Sequence, residues 1–388
     1  MDKRIAVYII QKVLEFSKSF SDILFSPWHP VEILEEGTIK KVEVPGIKVL
    51  SPFQTETLSL ALIDNRRRLL HDLISTGSCD LSYQVGKIRF RVNVFAEQTG
   101  YAIVMRKLPG KVPTIEELGL PSIFKEIAKE VSGIVLFAGP TGSGKSTSIA
   151  AILEEINQTK MVHIVTLEDP IEFAFTSFKA TFNQRELGSH FNDFATALRA
   201  ALRQAPHIIM VGEMRDAETV KVALSAAETG HLVVSTIHAS YAGQAISRIV
   251  DMVGKEEESF TRVRLAGTLR WIICQKLIPK KDGRRLAIFE ILRNNLRVQE
   301  AILQGAKPSV FYDILAKGSV YGMCTFDQQL ISAYEKQLID EKTALTYASF
   351  RSVVRKGIDQ IKAKRGEATS DLNGLELDIE KENSFHLL

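Results

Sequence analysis

The chain contains little cysteine and little tryptophan, with 3 and 2 of these residues in 388. The cysteines, Cys79, Cys274 and Cys324, lie far apart, and the sequence contains no CxxC pair. A disulfide framework and a structural zinc site are therefore not expected, and a reducing compartment fits this cysteine usage best.

Long apolar runs and an excess of charge are also missing. No stretch of about 18 consecutive apolar residues occurs, so we expect no membrane-spanning helix. Near the N-terminus, Lys12 and Glu15 interrupt the apolar segment and no small-residue cleavage site follows, which argues against a signal peptide. The 49 basic and 46 acidic residues give a net charge of +3, which provides no electrostatic case for binding nucleic acid or anionic lipid. We expect a soluble cytoplasmic protein.

The composition that remains is that of a globular chain, with 45% hydrophobic and 24% charged residues. Over 1–107, strand-like and helical stretches follow one another without a βαβ rhythm, which predicts a small α+β domain. Residues 108–120 are interrupted by proline and glycine and are typical of a linker. Within this linker, Thr114 and Glu117 fit a capping box that would open a helix.

From about residue 121, apolar strands alternate with amphipathic helices. Strands are expected at 134–138, 162–167, 208–211 and 232–235. This alternation is typical of an α/β domain with a parallel sheet, here expected over 121–363. Beyond about 255 the pattern becomes mostly helical, and 364–388 is expected to be a polar tail.

A phosphate-binding motif follows the first of these strands and opens the next helix, which is the context that supports a P-loop. The segment matches G-x-x-x-x-G-K-[ST] in full. Its glycines let successive backbone N–H groups point at phosphate oxygens, the lysine adds a positive charge, and the serine hydroxyl can bind Mg²⁺. The predicted nucleotide-binding residues are Gly139, Pro140, Thr141, Gly142, Ser143, Gly144, Lys145, Ser146 and Thr147.

Carboxylates follow two other predicted strands. Glu213 comes directly after 208–211, and Glu168, Asp169 and Glu172 follow 162–167. Because ligands of doubly wound sheets bind at the carboxyl ends of the strands, these acids are candidates for holding magnesium or orienting water. Two histidines, His231 and His238, flank the strand at 232–235. One of them could sense the γ-phosphate or bridge to a neighbouring subunit, and ordinary hydrogen bonding at the strand ends is the open alternative.

Read together, four segments resemble the motifs of one family, the secretion ATPases of type II secretion and type IV pili, and within it the pilus retraction ATPases of the PilT type. The segments are 139–147 as Walker A, 168–173 (EDPIEF) as the Asp box, 211–216 (VGEMRD) as Walker B and 229–238 (TGHLVVSTIH) as the His box. The resemblance is strong over about 80–345. It implies a RecA-like P-loop NTPase domain, a smaller PAS-like α+β domain before it and a helical C-terminal region.

The resemblance also implies roles for the carboxylates. Glu172 would polarise the attacking water, with Glu168 and Asp169 in support. Glu213 would act together with the magnesium ion. The implied metal site therefore consists of Ser146, Glu213, Glu168 and Asp169.

Further catalytic residues follow from the same resemblance. His231 and His238 would line the nucleotide site. Arg91 and Arg106 align with arginines of the N-terminal domain that close over the phosphates when the two domains clamp together. Such guanidinium groups are worth ~10³–10⁵-fold in rate in P-loop NTPases.

At the level of the whole machine, the resemblance implies a homohexamer that uses ATP and Mg²⁺ and contacts an inner-membrane pilus platform protein. Hydrolysis would rotate the N-terminal domain against the neighbouring catalytic domain and so power pilus retraction and twitching motility. The ring would lie at the cytoplasmic face of the inner membrane, and a paralogous pilus ATPase is a further candidate partner. Neither zinc nor nucleic acid is expected.

Two other functions stay open. Assembly-type relatives carry a four-cysteine zinc motif and a long N-terminal extension; this sequence has neither, which favours retraction over type II secretion or DNA uptake. The segment 298–305 (VQEAILQG) departs from the Ala-Ile-Arg-Asn-Leu-Ile-like stretch of retraction ATPases. That departure leaves open an accessory ring that binds nucleotide, turns over little and supports a paralogous motor.

Overall fold

Two β-sheets, one on each side of residues 108–120, organise the chain in a computed structural model that describes residues 3–367 and 369. Most of the expected polar tail, 364–388, lies outside the described residues, and its first two residues belong to the last helix, which ends at Arg365. Within the described part of the chain, none of the helices is both long enough and apolar enough to cross a membrane.

The first sheet has six strands and is antiparallel throughout. Its elements are α1 (Lys3–Phe16), β1 (Asp22–Phe25), β2 (Val31–Glu35), β3 (Thr38–Val42), α2 (Pro52–Ile63), α3 (Arg67–Thr76), β4 (Ser78–Val85), β5 (Ile88–Glu97) and β6 (Gly100–Lys107). The strand order is β3-β2-β1-β6-β5-β4. In β5, Phe90, Val92 and Val94 are buried and Arg91 is exposed, because alternate side chains of a strand point to opposite faces. The apolar face packs against the three helices, which agrees with the α+β expectation.

Residues 108–120 connect the two sheets without a regular element. The expected capping box forms: Thr114 N–H donates to Glu117 Oε2 at 3.0 Å, and Glu117 N–H donates to Thr114 Oγ1 at 3.1 Å. The expected helix does not follow, because Gly119 adopts a left-handed φ of +62° and Pro121 comes soon after it. The prediction of a helix at 114 is therefore wrong.

The second sheet has seven strands. Neighbouring strands are parallel, except that the last strand in the chain runs antiparallel to its neighbour. Its strands are β7 (Gly133–Ala138), β8 (His163–Glu168), β9 (Thr181–Glu186), β10 (Ile208–Val211), β11 (Leu232–Ile237), β12 (Leu269–Pro279) and β13 (Arg285–Arg293). The helices of this part, up to the last strand, are α4 (Ile123–Ile127), α5 (Lys145–Thr159), α6 (Phe194–Ala201), α7 (Ala217–Glu228), α8 (Ala242–Val253) and α9 (Glu258–Thr268). The strand order is β13-β12-β7-β11-β10-β8-β9.

Both faces of this sheet are covered, as a parallel sheet requires. In β7, Ile134 and Leu136 belong to one apolar core, and Val135 and Phe137 belong to another on the opposite face. The strands predicted at 134–138, 162–167, 208–211 and 232–235 all form. The α/β prediction is therefore confirmed, and the carboxyl ends of β7, β8, β10 and β11 meet at one edge.

The stretch 269–293 corrects the expectation of a mostly helical part beyond 255. β12 and β13 pair antiparallel there, and β12 lies beside β7. Residues 271–275 are all buried, which is the environment of a strand covered on both faces. The helical region begins after β13 and consists of α10 (Leu296–Leu303), α11 (Pro308–Ala316), α12 (Phe326–Glu335), α13 (Glu341–Tyr347) and α14 (Arg351–Arg365).

Candidate nucleotide site

The P-loop joins the end of β7 to the start of α5, as the sequence predicts. Gly139 and Gly144 have φ angles of +146° and +88°. A Cβ atom on Gly139 would lie 2.5 Å from the carbonyl oxygen of Gln275, and one on Gly144 would lie 2.8 Å from its Nε2. Both positions therefore require glycine, and β12 supports the loop from the side.

Lys145 folds back over this loop. Its Nζ donates hydrogen bonds to the carbonyl oxygens of Gly139 at 2.8 Å and Pro140 at 2.9 Å. Burial lowers the pKa of Lys145, and the nearby carboxylate of Glu172 opposes that shift. The ammonium group is thus held over the loop, where the phosphates of a nucleotide would lie.

A cleft of about 450 Å³ opens between the P-loop and the ends of β8 and β10. It brings together residues that are far apart in sequence, at the edge where doubly wound sheets bind their ligands. The predicted site residues that line it are Thr141, Gly142, Gly144, Lys145, Ser146, Thr147, Glu168, Asp169, Glu172, Glu213 and His238.

Glu213 and His238 face each other in this cleft. Oε2 of Glu213 lies 3.4 Å from Nε2 of His238, and its other oxygen pairs with Arg215. Burial lowers the pKa of His238, and the positive charges of Lys145, Arg248 and Arg215 lower it further. The imidazole is therefore neutral at neutral pH and presents one donor and one acceptor nitrogen.

Glu168 lies deeper, at the end of β8. Burial raises the pKa of its carboxyl group to about 7, although hydrogen bonds from Thr166 and Gln184 partly offset this. Oε1 of Glu168 accepts from Thr166 Oγ1 at 2.5 Å and from Gln184 Nε2 at 3.0 Å. This geometry ties Glu168 to neighbouring side chains and does not support its predicted role as a metal ligand.

The loop after β8 carries Glu172 between two anchored residues. The N–H of Ile171 donates to Glu186 Oε2 at 3.1 Å. On the other side, Gln184 Nε2 donates to the carbonyl oxygen of Phe173 at 2.8 Å, and its Oε1 accepts from the N–H of Phe175 at 2.9 Å. Two side chains of β9 therefore fix the backbone on either side of Glu172.

The two predicted arginines of the first sheet do not reach the cleft. Arg91 and Arg106 are register partners on β5 and β6, and both are substantially exposed. Arg91 Nε lies 3.9 Å from Asp80, and Arg106 Nε lies 2.9 Å from Asp22, all within the first sheet. In this arrangement neither guanidinium contacts the phosphate-binding elements.

His231, which the resemblance places at the nucleotide site, does not line the cleft of this chain, and its role there stays a prediction. His231 precedes β11, whereas His238 follows it, so about 20 Å of strand separates the two. Nδ1 of His231 lies 3.0 Å from the carbonyl oxygen of Ala226 and 3.1 Å from Thr229 Oγ1, at the end of α7. The two ends of one strand lie at opposite edges of the sheet, and only the carboxyl end faces the cleft.

A second cavity, of about 670 Å³, adjoins the cleft and shares His238 and Arg285 with it. The P-loop forms one of its walls, and its lining also includes Arg248 and Lys276 but no carboxylate. The surroundings of the P-loop are therefore positively charged on this side, which favours bound anions.

Sequence reasoning missed several side chains that brace the site. Gln275 accepts a hydrogen bond from Ser148 Oγ at 2.8 Å. Gln184 and Glu186 lie on β9, which is polar at five of its six positions and therefore gave no apolar signal. Arg89 lies two residues before Arg91 on β5. An expectation of strands at β9 and β12 would have placed Gln184, Glu186 and Gln275 beside the cleft.

Magnesium is the metal that the P-loop implies, and the chemistry of the residues in the cleft fits it. Among the residues that the structure describes, no group of three or more His, Cys, Asp or Glu side chains could hold a metal ion. Magnesium is commonly bound by one or two protein oxygens together with water and substrate phosphates. Ser146 and Glu213 line the same cleft and offer a hydroxyl and a carboxylate oxygen, which are ligands of this kind.

A P-loop at the carboxyl edge of a parallel sheet, with carboxylates on the facing strand ends, defines a P-loop nucleotide-binding protein. Comparison with known proteins gives the same answer in finer detail. A family model described as "Type II/IV secretion system protein" matches residues 63–369. The chain belongs to this family, as one of the PilT-type secretion ATPases.

Individual relatives cover nearly the whole chain. It is 40% identical to the type IV pilus retraction ATPase PilT of Pseudomonas aeruginosa over 339 aligned residues. The alignment covers 86% of this chain and 96% of that protein. It is 34% identical to the type IV pilus ATPase PilU of the same species, over 94% of this chain and 95% of that one. The crystal structure of the pilus retraction motor PilT with bound ADP has a TM-score of 0.80 at 37% identity, and covers 90% of this chain and 98% of that one.

Proposed function

We propose that this protein is a magnesium-dependent ATPase motor that powers type IV pilus retraction. The observation that carries the proposal is the cleft that joins Lys145, Glu172 and Glu213 in a chain 40% identical to a pilus retraction ATPase. Phosphate binding, water activation and metal binding each have a candidate side chain there. The likeness to PilT supports the mechanical use of the hydrolysis.

The P-loop would hold the triphosphate. Its backbone N–H groups and the N-terminus of α5 attract phosphate oxygens, and Lys145 adds a positive charge next to the β- and γ-phosphates. Ser146 and Glu213 would hold Mg²⁺, with Asp169 at the rim of the same cleft. When bound there, Mg²⁺ would supply positive charge that offsets the negative charge developing on the transferring phosphoryl group.

Glu172 would act on the attacking water. It lies in the same cleft as Lys145, and its backbone neighbours on both sides are anchored. A fixed carboxylate can accept the proton of a water that attacks the γ-phosphate, or orient that water in line. His238, which lies 3.4 Å from Glu213, would line the nucleotide site beside the phosphates.

Arg91 and Arg106 would join the site only after the first sheet has moved. Both are exposed, and Arg91 lies at 3.9 Å from its carboxylate partner, so little holds it in its present position. Rotation of the first sheet toward the P-loop would bring these guanidinium groups to the phosphates. Hydrolysis would then be coupled to a change in the relation of the two sheets.

The machine that fits this chemistry is a homohexameric ring at the cytoplasmic face of the inner membrane. The ring would act on an inner-membrane pilus platform protein, so that pilin subunits leave the fibre. We expect no zinc and no nucleic acid in this complex, and a paralogous pilus ATPase would be its natural companion.

Retraction itself tests the proposal. The chain is expressed in a piliated bacterium that lacks its retraction ATPase, beside the Glu172→Gln variant, and twitching and fibre withdrawal are recorded. We expect the wild-type chain to restore both and the variant to restore neither. The motor role would be contradicted if the wild-type chain folds and hydrolyses ATP in this bacterium but does not restore retraction.

An accessory role is the second candidate, because the segment 298–305 (VQEAILQG) departs from the stretch expected of retraction ATPases. An accessory ring would support retraction only when an active paralogue is present. The same host therefore separates the two functions: rescue without any paralogue indicates the motor, and rescue that requires the paralogue indicates the accessory ring.

A further inference from the structure

Glu186, the last residue of β9, joins the two sheets at the loop that carries Glu172. Its Oε2 accepts a hydrogen bond from Ser82 Oγ at 2.5 Å and lies 3.8 Å from Nη2 of Arg89. Ser82 lies on β4 and Arg89 on β5, both in the first sheet. The same Oε2 accepts the N–H of Ile171 at 3.1 Å. One carboxylate oxygen thus contacts the first sheet and the residue that precedes Glu172.

The side chain of Glu186 is well fixed from its own side. Its other oxygen, Oε1, lies 3.4 Å from the hydroxyl of Ser189, and its backbone N–H donates to His190 Nδ1 at 2.9 Å. The residue is only 4% exposed. A carboxylate in such a position needs charged or hydrogen-bonding partners, and Ser82 and Arg89 are two of those that it has.

The two anchors of the Glu172 loop therefore differ in one respect. Gln184 holds Phe173 and Phe175 through a neutral amide, and none of these three residues belongs to the first sheet. Glu186 holds Ile171 through a buried charge that is balanced from the first sheet. Movement of the first sheet away from Glu186 would remove two partners of this carboxylate, whereas it would leave the contacts of Gln184 intact.

We propose that Glu186 is a positioning residue that makes the alignment of Glu172 depend on docking of the first sheet. With Ser82 and Arg89 engaged, the carboxylate holds the N–H of Ile171 and Glu172 is fixed in the cleft. When the first sheet moves away, the unbalanced carboxylate attracts water and its bond to Ile171 weakens. Hydrolysis then slows while the nucleotide stays bound. The inference rests on the proposed role of Glu172 in hydrolysis.

Steady-state ATP hydrolysis by the full chain tests this coupling. For Glu186→Ala we expect kcat to fall by about 10- to 100-fold with little change in KM, because misplacing a catalytic group slows chemistry more than binding. Ser82→Ala and Arg89→Ala should each lower kcat by about 3- to 10-fold, although neither residue lines the cleft. The kcat of Glu186→Gln should lie between those of the wild type and Glu186→Ala, because the amide keeps an oxygen for the N–H of Ile171 but loses the charge that faces Arg89.

Glu97→Gln is the matched control, because it alters an exposed carboxylate at the far end of β5. Its kcat should equal that of the wild type. Melting temperature and ADP affinity are measured for every variant, so that a folding defect is recognised. If Glu186→Ala does not fold, Ser82→Ala still tests the proposal, because it removes a single hydroxyl contact between the sheets.

The combination of Ser82→Ala with Glu186→Ala separates positioning from a general structural effect. If both act through the same oxygen, the double variant should be no slower than Glu186→Ala alone. Multiplied losses in the double variant, or an unchanged kcat in both Ser82→Ala and Arg89→Ala, would overturn the proposal. So would a loss that is confined to KM.

A failure of the proposed function gives a different result. If Glu172→Gln hydrolyses ATP at the wild-type rate, the role of Glu172 is wrong, and the coupling through Glu186 is wrong with it. If Glu172→Gln is inactive but Ser82→Ala and Arg89→Ala are normal, only the coupling is overturned.

Discussion

Gln275 and Ser148 form a buried hydrogen bond of 2.8 Å that ties β12 to the first turns of α5. Gln275 also lies where a Cβ atom on Gly144 would have to be placed. The curvature of the P-loop therefore depends on a strand that follows it by more than a hundred residues. Phosphate binding is a property of the sheet as well as of the local motif.

Gln275→Ala should weaken both folding and nucleotide binding. The change leaves the hydroxyl of the buried Ser148 without its partner, which costs about 1–3 kcal/mol of the free energy of unfolding. It also removes the side chain that packs against Gly144, so ADP affinity should fall. Urea unfolding and ADP titration measure the two effects. Gln158→Ala is the control, because the amide of Gln158 donates to Glu154 on the exposed side of α5. Equal behaviour of the two variants would refute the bracing role.

Lys145→Ala should abolish tight binding of Mg-ATP. The variant removes the ammonium group that is held over the P-loop carbonyl oxygens, while the backbone of the loop stays in place. Calorimetric titration with a slowly hydrolysed ATP analogue measures the loss, and Lys179→Ala, an exposed lysine outside the cleft, is the comparison. Unchanged affinity in Lys145→Ala would contradict the assignment of the phosphate site.

Glu168 should make the protein less stable as the pH rises from about 4.5 to 7. Its pKa is raised to about 7 in the folded state, so over this range the folded chain keeps a proton that the unfolded chain has lost. The free energy of unfolding therefore falls with pH, by at most about 3 kcal/mol from this group, and levels off above its folded pKa.

Glu168→Gln tests this dependence, because it removes the titrating group and keeps hydrogen-bonding atoms in place. Urea unfolding at pH 5, 6, 7 and 8 gives the free energy of unfolding, which should change less with pH in the variant than in the wild type. The variant's free energy of unfolding should exceed that of the wild type by most at pH 8. Glu290 also has a pKa raised to about 7 by burial, so some slope remains. Parallel profiles for wild type and Glu168→Gln would contradict the assignment.

Arg91→Ala should slow turnover far more than it weakens binding. Arg91 does not contact the phosphate-binding elements in this arrangement, so it contributes nothing to the ground state seen here. If it closes over the phosphates during hydrolysis, its loss should lower kcat on the order of 10³-fold with little change in KM. Arg67→Ala, an exposed arginine on α3, is the control. An equal loss in kcat/KM and in nucleotide affinity would instead indicate a ground-state contact.

The sequence predicts those parts of the site that are local in the chain. The P-loop is a contiguous motif between an apolar strand and a helix, and Glu213 follows a strand of continuous apolar residues. Parallel strands bring such carboxyl ends together, so the position of Glu172 and Glu213 near Lys145 could be expected. The structure places all three in one cleft.

Contacts between distant segments could not be predicted in this way. The separation of His231 from His238, in contrast, follows from the strand predicted between them, and the structure places them at opposite ends of β11. β9 is the outermost strand on its side of the sheet and is mostly polar, so no apolar pattern marks Gln184 and Glu186 as strand residues. The contact of Arg89 with Glu186 depends on how the two sheets dock, which hydrophobic periodicity does not encode.

Steady-state hydrolysis of Mg-ATP by the wild-type chain and by Glu172→Gln, with nucleotide affinity measured on the same samples, tests the central claim most directly. We expect the wild type to turn over ATP and the variant to bind it with similar affinity while kcat falls by about 10²-fold or more. Equal turnover in the two proteins, or a wild type that binds ATP without hydrolysing it, would contradict a motor in which Glu172 activates water.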